Sequence, residues 1–428
     1  MAAKILGNSG VLYTDRRDFY ISPQVVKELW TDVSPFTTVL SNRETRSGLA
    51  DPQYKMFEHR NPWQKQQFVC NENMVSLAAG DTASDPMDIK TISGLVDPAD
   101  SSYIGYQCEV WDTTLATKRG VVLITAVDAG GAVSFKNMGD AAVDIDSNDV
   151  LIVVGNAHGE GTEAPEAWAD EISVVYNQAQ IFKTPVEVTG TLYAAALRGE
   201  SNELARLRTQ KSQEHKVQKE RAFLFGRSPI NLTGTGTFND SSLTDANGKI
   251  VRSTMGIIPA IEKHGASSGD DQSIFAITKS SYDYGSFVDD MEKVFQYVPE
   301  AGSKRAFCGG GALSYWSKLG GSGSFSDSSG WTVNIGDMKR DSLGFNYRTL
   351  ETPHGNLQLI PTPVMRGPYS EKMLVVSDEN LFLAQYRAPK YQANIKTDNA
   401  YDGVKDQYMS DEGIGVSLIE SHKLFSMS

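Results

Sequence analysis

A chain of 428 residues with 40% hydrophobic, 9% aromatic and 22% charged side chains has the composition of a folded protein with material for large cores, and its length sets a prior of about three domains. A formal charge of −13 excludes a protein whose whole surface grips nucleic acid, while leaving room for a local basic patch. The three cysteines, Cys70, Cys108 and Cys308, are far apart and odd in number, which excludes a disulfide framework or a CxxC zinc site and points to a reducing compartment.

The N-terminal MAAKILGNSGVLYTDRRDFY lacks the apolar run of a signal peptide. The longest apolar runs, GVVLITAV and VLIVV, are of strand length, so neither secretion by such a signal nor a membrane span is expected. Residues 1 to about 60 mix apolar and charged residues without sustained period, apart from a short helical signal in SPQVVKELW. They read as an extended arm that packs on something else, or as a plain irregular segment. From about 100 to 156 the pattern turns to β: RGVVLITAV, a DAGG turn and AVSFKNM predict a hairpin, and DVLIVVG a further strand. A second β region follows in ISVVYNQAQIFKTPVEVTGTL, where TPVEVTGTL alternates as a half-buried strand does.

The segment NELARLRTQKSQEHKVQKERAFLFG predicts a helix over about 202–225, with Asn202 as N-cap and Gly226 with Pro229 as the stop. At 1.5 Å per residue it spans about 35 Å. Its apolar residues, Leu204, Leu207, Phe223 and Phe225, lie near the ends, so an apolar stripe cannot dock its middle and something other than its own core is expected to use it. Arg208, Lys211, His215 and Lys219 recur at spacings of three, four and four and form one basic ridge. Like charges at these spacings cost a few tenths of a kcal/mol per pair (about 0.2–0.5), a penalty a partner could offset. The ridge reads either as meeting carboxylates of a neighbouring subunit or phosphates of enclosed nucleic acid, or as a solvated face.

After a polar loop, NLTGTGTFNDSSLTDANGK, the chain from STMGIIPAIEKHG to about residue 383 predicts an α/β unit. FVDDMEKVF sets Phe287, Met291, Val294 and Phe295 on one helical face, and GALSYWSKL does the same with Leu313, Trp316 and Leu319. SIFAIT, GNLQLIPTP, KMLVVSD and LFLAQYR predict strands, and GIGVSLIESHKLFSM a closing one. No repeat of solenoid length is present.

Motifs that would carry chemistry fail on context. GEGTEA, Gly159 to Ala164, matches a dinucleotide fingerprint in form, but Glu160 and Glu163 would repel a pyrophosphate and Pro165 follows where a helix should start. GGSGS, Gly320 to Ser324, lacks the last glycine of a nucleophile elbow. Gly309 to Gly311 reads as a junction before a helix. His59, His158, His215, His264, His354 and His422 have no ligand spacing. DIDSNDV opens like a calcium loop, yet Asp149 and Gly155 stand where that loop needs glycine and glutamate. No catalytic set, cofactor or metal is expected.

The order of these segments resembles a major capsid protein of a tailed bacteriophage with the Hong Kong 97-type fold: an arm, a β-rich excursion, the TPVEVTGTL strand, the polar helix, TMGIIPAIEKHG leading into an α/β unit, and a closing MSDEGIGVSLIESHKLF. The resemblance covers nearly the whole chain and rests on segment order more than on single motifs. It implies an α+β fold with an N-terminal arm at 1–60 and an extended loop at 61–168 carrying an inserted β module at about 100–156. A peripheral domain at 169–252 would hold the spine helix, an axial domain would span 253–383, and 384–428 would return to the peripheral domain.

It also implies a non-enzymatic subunit that assembles with itself, through hexamers and pentamers, into an icosahedral virion shell in the bacterial host cytoplasm. A scaffolding protein, a portal, a decoration protein and double-stranded DNA, bound without sequence specificity on the inner face, would be its partners, with no membrane. An encapsulin-like compartment shell shares the expected fold. A hydrolase built from scattered Asp and His residues, or a monomeric β-rich binding protein, would instead need a closed carboxylate pocket or a monomer stable at high concentration.

Overall fold

The computed structural model describes residues 34–59, 67–82, 89–93, 103–128, 132–164, 172–195, 203–228, 243–268, 271–282, 284–297, 302–321, 337–395 and 402–428. The expected SPQVVKELW helix, Asn202, Pro229 and most of GGSGS lie outside these residues. The chain divides into two compact units, one of residues 57–173 and one of residues 1–56 with 174–428. The class is α+β.

In the larger unit, helix α1 (Pro35–Arg43) leads into strands β1 (Thr45–Ser47) and β2 (Gln53–Glu58). The smaller unit contains β3 (Gln67–Cys70), β4 (Met74–Leu77), β5 (Ile89–Ser93), β6 (Tyr106–Trp111), β7 (Lys118–Asp128), β8 (Ala132–Asn137), β9 (Val143–Ile145) and β10 (Val150–Asn156). Six of them close into a barrel in the order β10-β3-β5-β8-β7-β6. The β7–β8 hairpin and β10 fall where the alternation of apolar residues sets them. The β module, however, draws strands from residue 67 onward, not from 100 alone. QFVC and YQCEVW are short and interrupted by polar residues, and only closure with distant partners makes them strands. The barrel core contains Phe68, Val110, Ile124, Phe135 and Leu151, each buried, together with Cys70 and Cys108. Closure leaves this sheet without a free edge to pair elsewhere.

The chain returns through β11 (Ser173–Gln178), β12 (Gln180–Thr189), the short α2 (Gly190–Ala194) and the long α3 (Glu203–Phe225). Then come α4 (Ile257–His264), β13 (Ile274–Ile277), α5 (Tyr284–Phe295), β14 (Ser303–Cys308), α6 (Gly310–Gly321), β15 (Lys339–Arg340), β16 (Asn346–Thr352), β17 (Gly355–Pro361) and β18 (Lys372–Val376). Strands β19 (Leu381–Gln392), β20 (Gly403–Val416) and β21 (Lys423–Met427) complete it.

Two sheets organise this unit. A four-stranded sheet runs β1-β19-β20-β12, and a mixed seven-stranded sheet runs β13-β21-β18-β14-β17-β16-β15. Alternate residues of the larger sheet feed opposite cores, as the pleat requires. Met373 and Val375 of β18 join Phe287, Met291 and Val294 of α5 and Trp316 of α6 on one face. Leu374 and Val376 join Phe36 of α1, Ile258 and Ile261 of α4, Phe223 and Leu224 of α3, and Ile414 and Val416 of β20 on the other. The faces expected of α5 and α6 are therefore the buried ones; Leu313 packs at the margin of its core, and the Leu319 side chain lies outside the described residues. The closing GIGVSLIESHKLFSM is two strands, not one: its first residues end β20 in the four-stranded sheet, and β21 inserts between β13 and β18. A turn at Leu418, with φ of +47°, separates them.

Two glycines of β20 let aromatic rings lie against its backbone. A Cβ on Gly413 would stand 2.5 Å from the Tyr54 hydroxyl oxygen, which donates to the Ile414 carbonyl, and a Cβ on Gly415 would stand 2.2 Å from the Phe382 ring. That ring is covered by the Arg46 guanidinium, 3.9 Å from its centroid. With no space to yield, Gly415→Val is expected to destabilise the subunit by about 1–3 kcal/mol through overpacking, read as a lowered urea midpoint; an unchanged midpoint would contradict this packing.

Candidate functional site

Helix α3 carries the residues that the sequence sets apart, and β12 and β20 form the surface beneath it. β12 alternates strictly, with Phe182, Thr184, Val186 and Val188 buried and the residues between them exposed. It pairs antiparallel with β20 so that Val186 stands opposite Asp406, Thr184 opposite Tyr408, Phe182 opposite Ser410 and Gln180 opposite Glu412. Residues 406, 408, 410 and 412 therefore share the face toward α3.

The contacts proceed along helix and strand together. Arg208 donates from Nε and Nη2 to Asp406 Oδ2 at 2.9 and 2.6 Å. The Tyr408 hydroxyl donates to the Arg208 carbonyl at 3.1 Å. Two turns further on, the His215 ring is bracketed by two hydroxyls, Thr184 Oγ1 at 2.9 Å from Nδ1 and Ser410 Oγ at 3.1 Å from Nε2. Lys219 then donates from Nζ to Glu412 Oε2 at 2.9 Å, and Gln385 donates to the other oxygen at 3.2 Å. Asp406, Ser410 and Glu412 are all 0% exposed, so each carboxylate exists in the fold only with its partners.

The electrostatics follow from this burial. Burial alone would push the Asp406 carboxyl up, but the hydrogen bonds from the Tyr391 hydroxyl, the Asn394 N–H and Arg208 together hold it below its ordinary value. The bond to Asp406 raises the Arg208 guanidinium further. Burial first, and the Lys219 charge second, lower His215, so the imidazole is neutral and serves as a hydrogen-bonding spacer. On the opposite face of β20, Asp411 is also fully buried and is met by Arg387 at 3.1 Å and Arg252 at 3.4 Å.

The expected ridge is thus corrected in its partner. Arg208, His215 and Lys219 do share a helix face, but that face is turned to the chain's own strand, where buried acids and hydroxyls require it. Only Lys211 of the four is turned along the helix surface, paired with Glu214 at 2.7 Å. The middle of α3 is used by its own sheet, through polar bonds in place of an apolar stripe. The missed partners, Asp406, Ser410 and Glu412, carried a signal: in DQYMSDE they alternate at even positions, as residues on one face of a strand must.

The other motifs resolve into structure. The DIDSNDV turn holds Arg119, whose Nη1 lies 2.6 Å from Asp146 and Nε 3.2 Å from the buried Asp149, so a cation of the chain stands among its carboxylates. GEGTEA begins as a turn closed by the Thr162 hydroxyl on the Gly159 carbonyl. The Gly311 N–H donates to the Ser370 hydroxyl. His422 is buried and accepts from the Ser377 N–H, and burial, with the Lys304 charge second, lowers it to about 3. Among the described residues no group of three or more His, Cys, Asp or Glu could hold a metal ion, and no helix is long and apolar enough to cross a membrane.

A long helix on a four-stranded sheet, an adjoining mixed α/β sheet and an excursion closed into its own barrel define the capsid-subunit class of α+β fold. The chain belongs to the SU10 major capsid protein family, whose model matches residues 20–410. None of the curated protein sequences matches it. Among solved structures it is similar to the capsid of a native GTA particle, at 8% identity, with 99% of this chain and 100% of that one covered and a TM-score of 0.50. A chain of Microbacterium phage Oxtober96 is 10% identical over 97% of this chain and 98% of that one, with a TM-score of 0.42. The holo-SrpI encapsulin complex from Synechococcus elongatus PCC 7942 is 8% identical over 60% of this chain and 77% of that one, with a TM-score of 0.35. At such identities the likeness is one of fold, and the family match carries the function: this is a structural subunit of a phage capsid shell, located in the virion, and not an enzyme.

The buried seam predicts a specific energetic pattern. Lys219→Met leaves Glu412 buried without its cation and is expected to cost about 3–5 kcal/mol, whereas adding Glu412→Gln to it restores most of that loss. Urea unfolding of Lys219→Met, Glu412→Gln and the double variant checks it; strictly additive losses would contradict the pairing.

Proposed function

We propose that the chain assembles through hexamers and pentamers into an icosahedral head that encloses double-stranded DNA of a tailed phage. The observation that carries this reading is the single family match running through residues 20–410, across both compact units. In this reading residues 1–60 are the N-terminal arm, 61–168 the extended loop with the barrel as its inserted module, and 169–252 the peripheral domain with α3 as its spine. Residues 253–383 form the axial domain, and 384–428 return to the peripheral sheet through β20 before β21 closes the seven-stranded sheet.

Assembly takes place in the bacterial host cytoplasm, with a scaffolding protein and a portal as partners and a decoration protein on the outside. DNA lies on the inner face without sequence specificity. A net charge of −13 suits a container, since a uniformly basic lining would hold phosphates and hinder packaging and ejection. The work is done by repeated complementary interfaces, and for these a rigid subunit is the main requirement.

Expression of the chain with and without its genomic neighbours, followed by negative-stain electron microscopy and sedimentation velocity, tests the reading. Closed shells, hexamers or pentamers are expected; a monomer at all concentrations in the presence of a scaffold partner would overturn it. Assembled shells are further expected to bind DNA only weakly, with a shallow salt dependence, and a steep one would contradict the container argument.

A further inference from the structure

The formal charge of −13 is not spread over the chain. Residues 57–173, the smaller unit, contain 19 Asp and Glu against 6 Lys and Arg, so that unit alone holds all of it, and the rest of the chain balances at 34 of each. Within the smaller unit Glu109 is met by Lys118 and Asp146 by Arg119. Asp81, Asp140, Glu160 and Glu163 are exposed and meet no cation among the described residues. At physiological salt such charges act over about 8 Å, so only a surface in near contact feels them.

The larger unit presents a surface of the opposite sign on the face of the four-stranded sheet turned away from α3, to which the odd-numbered residues of β12 and β20 point. At Gly413 and Gly415 this face is covered by Tyr54 and Phe382. Beyond them it opens in rungs across β12, β20 and β19: Ile181, Asp411 and Arg387, then Lys183, Met409 and Lys390, then Pro185, Gln407 and Gln392. Glu187 and Lys405 close it, 3.4 Å apart. Asp411 is neutralised by Arg387 and Arg252. Lys183 and Lys390 are exposed, flank the buried Met409, and meet no carboxylate among the described residues. Pro185 removes an N–H from the outermost strand and Lys183 charges it, so the sheet is offered by its face and not by strand addition at its edge.

We infer that the acidic unit of one copy docks on this open face of a second copy, with Lys183 and Lys390 meeting its carboxylates beside the exposed Ile181 and Pro185. The inference rests on the self-assembly proposed above and names the two surfaces that meet. Two acidic units side by side would repel, whereas a head-to-tail contact brings each of them to a basic face and repeats from copy to copy around a ring. A second copy fits the face better than DNA does. Glu187 and Asp411 already offset its other cations, and two uncompensated lysines are too few for a duplex, which is held through several phosphate contacts at once.

Particles assembled from an equal mixture of unlabelled and heavy-isotope-labelled full-length chains, treated with a water-soluble carbodiimide, read the contact directly. The reagent joins an amine to a carboxylate in contact with it as an amide, with loss of water, and mass spectrometry of the digest identifies both ends. Links from Lys183 or Lys390 to an Asp or Glu of 57–173 are expected, with the two ends on differently labelled copies. Particles in which these lysines are unlinked, linked only within one copy, linked only to acids outside 57–173, or shielded only by added double-stranded DNA overturn the inference and leave self-assembly standing; a chain that stays monomeric overturns both. Lys183→Glu combined with Lys390→Glu changes two exposed positions outside the cores. It is expected to slow assembly about tenfold at low salt and to flatten its salt dependence; a rate and salt dependence equal to those of the wild type would overturn the inference equally.

Discussion

The row of buried acids on β20 is the constraint to which the rest of the larger unit answers. Asp406 and Glu412 on one face and Asp411 on the other are fully withdrawn from water, and each withdrawn charge costs several kcal/mol unless a cation and further donors meet it. Arg208 and Lys219 must therefore come from the one helix that lies over the strand, and Arg252 and Arg387 from the segments on its far side. This is why a helix of 23 residues can be almost devoid of apolar residues in its middle and still be docked. Apolar contacts tolerate sliding; three matched polar contacts at 208, 215 and 219 define the register of α3 on the sheet.

That fixed register matters for a protein whose task is geometric repetition. The apolar ends of α3 join different cores, Leu204 with Val186 and Val188 at one end, Phe223 and Leu224 with α1, α4 and both sheets at the other. The helix is thereby a strut between two parts of the unit, with its position set by charge and its ends anchored by packing. In the proposed shell, where the same interface recurs many times, small errors of orientation within the subunit would be repeated at every contact. The barrel of residues 67–156 applies a related principle by different means: it closes its own sheet and carries its own core.

Much of this was legible in the sequence where the information is local. The period of 3.6 in FVDDMEKVF, the alternation in TPVEVTGTL and the Gly226 stop and apolar ends of the long helix each identify an element, and the order of segments identified the family. The rest depends on pairing between distant residues. QFVC near residue 68 reads as nothing until β5 and β10 lie beside it, and SKRAFC hides a central strand because its Lys304 is buried with its ammonium on the Ser421 carbonyl. The basic ridge was legible as a ridge, yet its partner lies about two hundred residues away on β20, and only the alternation in DQYMSDE hinted that acids would line one face.

Cryo-electron microscopy of the assembled shell, at a resolution that shows side chains, is the most direct test of the seam. The account predicts that Arg208 meets Asp406 and Lys219 meets Glu412 within one and the same subunit, with His215 between the Thr184 and Ser410 hydroxyls. Density showing these basic side chains turned to a neighbouring subunit or to the packaged DNA, with the β20 acids paired elsewhere, would contradict it.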